Sequence, residues 1–417
     1  MPVRPAIFAE SSAVPASEAL AHWRAAGEAR PRVLVVARWP VGGIRTHLLA
    51  NYTALREAGF RFTFVGPADA SLDNLRAGFG HSEGAGFIGV PIENRRCRLW
   101  TVVRALLRER RFGLLHSHGA TAVAHAALAN LGFGMPHVVT LHEPLRANQF
   151  PGWMGRLKRW ALARALAQTD AIITVSADAR ANVFEHFPAL RNRAESVLTV
   201  PNGIPIDRDA TPFEEPGNDL RDRLGLEAQP FLIGFLGRFM PEKGFPVLLE
   251  AVGRLVREET VRPFHLVGFG SGDFRREYQK TIQRRCLEKF ITLLDFVPDV
   301  WPVLRQLDLV VMPSLWEAWP LLPMEAMVAG VPVLGSDCIG LREVLRDTPS
   351  RTVAANDPAA LADGLRAALD EPWTEAARAF VPQARLRFDN AHAVRCLTAL
   401  FDALASGTRQ DAAARAA

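Results

Sequence analysis

The chain has 417 residues, more than one hydrophobic core usually organises, so two domains are expected. Hydrophobic residues make up 49% and charged residues 22%, the composition of a folded globular enzyme and not of a fibrous or disordered chain. A net charge of +5 suits anionic substrates, nucleic acid or an anionic membrane face without choosing among them. Four scattered cysteines, Cys97, Cys286, Cys338 and Cys396, have no spacing that fits zinc or a redox dithiol. The first thirty residues hold no unbroken apolar stretch of signal-peptide length, and no later segment gives about 18 apolar residues in a row. A soluble cytoplasmic protein with a partly ordered leader over 1–30 is the expectation.

After the leader, continuously apolar runs recur between segments of helical spacing: 32–38, 61–66, 112–118, 137–142 and 171–176. Runs without polar alternation are expected of parallel strands covered by helices on both faces, so this half reads as a doubly wound α/β domain. The stretch PNGIPIDRDATPFEEPGND at 201–219 is dense in Pro, Gly and Asp and marks a boundary. The pattern then restarts with strands at 231–237, 263–268, 291–296, 307–314, 332–336 and 351–355. The expected division is an acceptor-side domain over 31–205, a donor domain over 206–384, a helix over 385–405 and a flexible tail over 406–417. Ligands of such sheets bind beyond the carboxyl ends of the strands, so two domains facing each other would share a cleft.

The post-strand loops carry the candidate chemistry. Gly237 ends one strand and is followed by Arg238, Lys243 and Gly244; the two cations can embrace a diphosphate, Arg by a fork and Lys as a point charge. Glu317 follows the strand at 307–314, and Glu325 lies eight positions on in the next helix, a spacing that suits the two ends of one nucleotide sugar. Gly42 and Gly43 can present backbone N–H groups to a phosphate. His116, His118 and His142 sit at strand ends, where a neutral imidazole can hydrogen-bond a reacting sugar or a diphosphate. Gly268 and Gly270 read as loop-shaping residues beside the nucleotide. Each signal alone has a plainer explanation, such as a solvated charge, a helix cap, a tight turn or a structural histidine. The only Asp-x-Asp, Asp207-Arg208-Asp209, reads as a turn in the linker.

Taken in order, PNG at 201–203, GRFMPEKG, VGFGSG, PSLWEAWPLLPMEAMVAGVPV and the early GG resemble the retaining GT-B glycosyltransferases of family 4. The resemblance covers about 32–370 and implies two Rossmann-like domains, with the donor held mainly by the second, the acceptor by the first, and a C-terminal helix crossing back. By the same resemblance Arg238 and Lys243 bind the diphosphate, Glu317 lies near the donor sugar and Glu325 binds the ribose. Gly43 lies near the diphosphate, His142 is the active-site histidine, and His118 lies on the acceptor side. Gly42, Gly237, Gly268 and Val297 complete the donor side. Two positions depart from the family pattern: Ala318 and Pro320 stand where glycine is common, and Pro320 has no N–H to give. The backbone N–H groups of Trp319, Leu321 and Leu322 become the expected donors there.

The implied reaction is transfer from a UDP- or GDP-linked sugar to a saccharide or lipid-linked acceptor with retention at the anomeric carbon. Neither a metal nor another cofactor is expected, because the two cations can stabilise the leaving diphosphate. A nucleotide-sugar epimerase or a non-catalytic sugar-nucleotide-binding subunit would share these motifs. Basic, Trp-bearing segments at 95–111 and 153–164 suit an anionic membrane face, or equally a solvated helix; no nucleic-acid partner is expected.

Overall fold

The computed structural model describes residues 30–416, apart from 81–82, 94–95, 147, 207–219, 227–229 and 259–261. All but the last residue of the expected leader, and Asp207, Arg208 and Asp209, lie outside the described residues. The chain forms two compact units, Met1–Asn202 with Asn390–Ala417, and Gly203–Asp389.

The first unit is built on strands β1 (Arg32–Ala37), β2 (Arg61–Pro67), β3 (Ala85–Val90), a small antiparallel pair β4 (Ile92–Glu93) and β5 (Arg96–Cys97), then β6 (Leu114–His118), β7 (His137–Leu141), β8 (Ala171–Thr174) and β9 (Val197–Thr199). Seven of these form one parallel sheet in the order β3-β2-β1-β6-β7-β8-β9. The central strands are buried along almost their whole length, which requires cover on both faces. Helices Gly42–Glu57 and Ala70–Phe79 pack on one face, together with Ala393, Leu397, Leu400 and Phe401 of the C-terminal helix. Helices Leu99–Arg108, Ala120–Asn130, Gly152–Ala167 and Ala177–His186 pack on the other.

The second unit carries β10 (Phe231–Leu236), β11 (Phe264–Phe269), β12 (Ile291–Leu294), β13 (Leu309–Met312), β14 (Val333–Ser336) and β15 (Arg351–Val353), all parallel, in the order β12-β11-β10-β13-β14-β15. Helices Phe245–Leu255 and Pro358–Asp370 share a core on one face, and Leu322–Val328, Leu341–Leu345 and Trp373–Phe388 share one on the other. In each sheet the strand order reverses once, between β1 and β6 and between β10 and β13. Such switch points are where loops diverge and leave room for a ligand.

Several elements differ from expectation. β3 and β9 are strands that the apolar runs did not mark: β3 carries Gly86 and Gly89, and β9 has three residues. The helix expected over 385–405 is two helices, because the backbone at Asp389 is extended (φ −61°, ψ 130°) and pairs with Ile204 before Ala391–Ala416 begins. The units therefore part at 202–203 and 389–390, not at 205 and 384. The expected flexible tail is helical to Ala416, in keeping with its run of strong helix formers. Among the described residues no helix is long and apolar enough to cross a membrane.

Phe401 tests how the C-terminal helix is held. It is fully buried, with its ring edge-on to Phe60 at 5.7 Å and to His116 at 5.3 Å. Phe401→Ala should cost about 3–5 kcal/mol, read as a lowered urea midpoint, whereas Leu386→Ala, at a position 85% exposed, should leave the midpoint unchanged.

Candidate functional site

In the second unit the loops after β10 and β13 are fastened at three points. Gly244 has φ +70° and passes so close to the chain after β13 that a Cβ there would fall 1.8 Å from the carbonyl oxygen of Pro313. The Leu315 amide donates to the carbonyl of Glu242 at 2.8 Å. Lys243 Nζ then lies 2.6 Å from Glu317 Oε1, which also accepts from Ser314 Oγ at 2.8 Å. Glu317 is buried and Lys243 half-buried, so the pair is partly withdrawn from water and its attraction is correspondingly stronger than at the surface. The Ser314 carbonyl is held in turn by Ser336 Oγ. One cation and one acid predicted from separate loops are thus in direct contact.

The remaining predicted residues of this unit surround that pair along the chain. Arg238 is exposed and makes no side-chain hydrogen bond or ion pair among the described residues. Gly237 is open on its side-chain side, where a Cβ would meet only a Phe235 ring atom at 3.9 Å. Glu325 is half-buried on helix Leu322–Val328, which begins at Leu321 with no side-chain cap. The side chains of Val297, Trp319, Leu321 and Leu322 pack against the core. Gly268 is corrected: it lies inside β11, where its missing Cβ makes room for Leu293 and Phe239, so it shapes packing and not a loop. Gly270 is the loop glycine, since a Cβ there would fall 1.9 Å from the Gly237 carbonyl oxygen.

In the first unit, the carboxyl ends of β1, β6 and β7 lead to Gly42 and Gly43, to His118 and to His142. Gly42 (φ +53°) opens helix Gly42–Glu57, which has no side-chain cap, and neither glycine has an atom within 4 Å of where a Cβ would be. His142 Nε2 lies 2.8 Å from His118 Nδ1, and His118 Nε2 lies 2.7 Å from Tyr52 Oη. Tyr52 Oη is also 2.5 Å from His116 Nδ1, whose other nitrogen bonds Thr140 Oγ1 at 2.9 Å. One consistent assignment has His142 donating to His118, His118 to Tyr52, Tyr52 to His116 and His116 to Thr140. His118, expected on the acceptor side, has both ring nitrogens engaged and acts on a ligand only by orienting His142.

Composition and motif reading missed three partners of this network, Tyr52, Thr140 and His47, because nothing in their spacing marks them. His47 Nδ1 lies 2.8 Å from Asn202 Oδ1, its ring is edge-on to His142 at 4.7 Å, and its buried Nε2 has no partner. The signal available was the strand-end position of the PNG segment that supplies Asn202. Among the described residues, His47, His118 and His142 are the group close enough to share a metal ion, with ligand nitrogens within 4.8 Å of one another. Both nitrogens of His118 are already used, so a metal would have to break one of its hydrogen bonds, to Tyr52 or to His142.

Burial fixes the charge state of this cluster. It lowers His47 to about 4 and His137 to about 3, and holds His116, His118 and His142 well below the ordinary histidine value, with neighbouring imidazoles adding to the effect for these three. The rings are neutral near pH 7. The unfolded chain takes up protons below about pH 6.5 that the folded chain refuses down to about 4 for His47, so stability should fall as pH drops through that window. Each such histidine contributes up to about 1.4 kcal/mol per pH unit, and His47→Asn should make the fall in urea midpoint from pH 7 to pH 5 measurably shallower.

Comparisons with known proteins find relatives of both units. A model described as glycosyl transferases group 1 matches residues 218–387, and one described as glycosyltransferase family 4 matches residues 41–208. The chain is 28% identical over 310 residues to a D-inositol 3-phosphate glycosyltransferase of Geodermatophilus obscurus, covering 69% of this chain and 68% of that one. It is 31% identical over 255 residues to a 2-deoxystreptamine glucosyltransferase of Streptomyces kanamyceticus, covering 57% and 62%. Among solved structures, Anabaena Alr3699/HepE in complex with UDP-glucose has a TM-score of 0.72 at 19% identity, covering 92% of this chain and 100% of that one. The two matched segments span both Rossmann-like units and hold the loops described above, and the chain belongs to the family 4 glycosyltransferases of GT-B architecture.

Proposed function

We propose that the protein transfers a sugar from a UDP- or GDP-linked donor, bound by the second unit, to a saccharide or lipid-linked acceptor bound by the first, in polysaccharide or glycoconjugate synthesis. The observation that carries this reading is the Lys243–Glu317 contact at the β10/β13 switch point, with the exposed Arg238 on the same loop as Lys243. Glu317 receives the donor sugar, Glu325 the ribose, and Arg238 and Lys243 the diphosphate. The backbone N–H groups of Trp319, Leu321 and Leu322 supply the donors that Pro320 lacks.

The reaction retains configuration. The bond from the anomeric carbon to the diphosphate oxygen breaks, the acceptor oxygen bonds that carbon from the same face, and the acceptor proton passes to the departing diphosphate. His142 hydrogen-bonds the reacting sugar as a neutral imidazole, held in place by His118. Arg238 and Lys243 stabilise the charge that develops on the leaving group, so no divalent metal is needed. Lys243→Ala should lower kcat/KM by roughly thirtyfold or more, about 2 kcal/mol of transition-state stabilisation, with activity insensitive to EDTA. Full activity in the variant would reject the assignment.

The cytoplasmic face of an anionic membrane is the setting that best fits the surface of the first unit. Helix Gly152–Ala167 buries Gly155, Leu162, Ala165 and Leu166, and on its outer side exposes Trp153 (68%), Leu157 (52%) and Trp160 (62%) at positions i, i+4 and i+7. Exposed Arg156, Lys158, Arg159 and Arg164 accompany this stripe, and the helix has no acidic residue. Exposed tryptophans beside basic residues are what an interfacial helix presents to anionic lipid. The full chain should co-sediment with phosphatidylglycerol vesicles but not with phosphatidylcholine vesicles, and Trp153→Ser with Trp160→Ser should abolish this without changing the thermal midpoint. Equal binding by the double variant would overturn the assignment.

A further inference from the structure

Two arginines flank β1, and the protein treats them differently. Arg30, just before the strand, is 8% exposed and fully provided for: its guanidinium pairs with Asp402 Oδ2 at 2.9 Å, donates to the Ala58 carbonyl and lies over the Phe60 ring. Arg38, just after the strand, is also 8% exposed. Its guanidinium makes no hydrogen bond or ion pair among the described residues, and Nη1 is buried without a partner. Its contact is a stack on the exposed ring of Trp39, with the guanidinium carbon 4.0 Å from the ring centroid.

A buried guanidinium nitrogen left without a hydrogen-bond partner is costly enough that proteins rarely leave one so without a ligand. Aromatic stacking recovers only part of that cost. Arg38 stands at the carboxyl end of a strand bordering the switch point, the end where ligands of such sheets bind, whereas the paired Arg30 stands at the opposite end. Four residues further on, the same loop starts the 16-residue helix Gly42–Glu57, whose first turn has no side-chain cap and no acidic residue. Both features of this loop favour negative charge. The positive charge also reaches helix Ala120–Asn130, where half-buried His125 is lowered by burial and then by Arg38, so no second cation competes there near neutral pH.

We propose that Arg38 binds an anionic group of the acceptor, a phosphate or a carboxylate, and so restricts this enzyme to acidic acceptors. The proposal rests on reading the first unit as the acceptor side of a glycosyltransferase. Arg38 forms the charge-assisted fork to the anion, and the ring of Trp39 fixes the plane of the guanidinium.

The test needs neither donor nor acceptor. In a full-chain background carrying Arg238→Ala and Lys243→Ala, which removes the other cationic loop, the thermal midpoint is followed while inorganic phosphate or acetate is added at constant ionic strength. The expected result is an upward shift of about 2–4 °C with one of the two anions, absent when Arg38→Met is added. Phosphate alone would assign a phosphorylated acceptor, and acetate alone a carboxylate-bearing one. In anion-free buffer Arg38→Met should equal or exceed its parent in midpoint, since it removes an unpaired buried charge. Equal shifts with and without Arg38 would overturn the proposal, as would a marked loss of stability in anion-free Arg38→Met, which would make Arg38 a structural group. Either result leaves the transfer reading standing, because that reading is tested by turnover in Lys243→Ala.

Discussion

The meeting of Lys243 and Glu317 depends on a constraint of sheet topology. Lys243 and Glu317 are 74 positions apart, and they meet because β10 and β13 are hydrogen-bonded neighbours while the chain between them builds the outer strands β11 and β12. A right-handed crossover places the loops that follow these two strands on the same edge of the sheet. Gly244 lets the first loop press against Pro313, and the Leu315 amide ties the second loop to the first. The ion pair is then held at the meeting point by backbone contacts and not by its own attraction alone. In the transfer proposed above such preorganisation would matter, since a preorganised cation loses little on reorganising when charge develops beside it.

A different constraint governs the first unit. Three histidines and a tyrosine lie within the strand ends and helices of a closely packed core, where burial excludes positive charge on the imidazoles. They satisfy each other through hydrogen bonds, so removing one leaves a buried partner unsatisfied at a cost of about 1–3 kcal/mol. A network of this kind presents His142 as a neutral group in a fixed orientation. It also explains why the polar strand β6, with His116, Ser117 and His118, can lie at the centre of a parallel sheet: each polar side chain has a partner, Ser117 pairing with His137 at 2.8 Å.

Much of this was legible in the sequence, and the gaps have physical causes. Long apolar runs marked the strands buried on both faces, such as β1 and β10, because double-sided burial leaves an unambiguous signal. β3 lies at a sheet edge and β9 at the other, where burial is partial and the composition is accordingly mixed. Glu317, Lys243 and Arg238 could be singled out because charge on a post-strand loop is visible in one dimension. The state of Arg38 could not, since what distinguishes it from Arg30 is the lack of a partner, a property of three-dimensional packing. Gly268 was misplaced for the same reason: its neighbours Leu293 and Phe239 come from other parts of the chain.

The two departures from the family pattern bear on how rigid the donor loop is. Glycines at 318 and 320 would let the backbone between the acids move freely, whereas this chain has Ala318 and Pro320. The structure supplies two anchors immediately before the proline. Gly340 (φ +76°) packs so tightly that a Cβ would fall 1.8 Å from the Ala318 carbonyl oxygen, and Trp319 is seated against the core formed by Met324, Met327 and Val333. The flexibility that glycine would have given within the loop is therefore absent, and the close contact with Ala318 requires glycine at position 340 on the opposing turn. Glu317 and Glu325 are joined by a segment set by packing, so the separation of the two carboxylates is fixed by the fold.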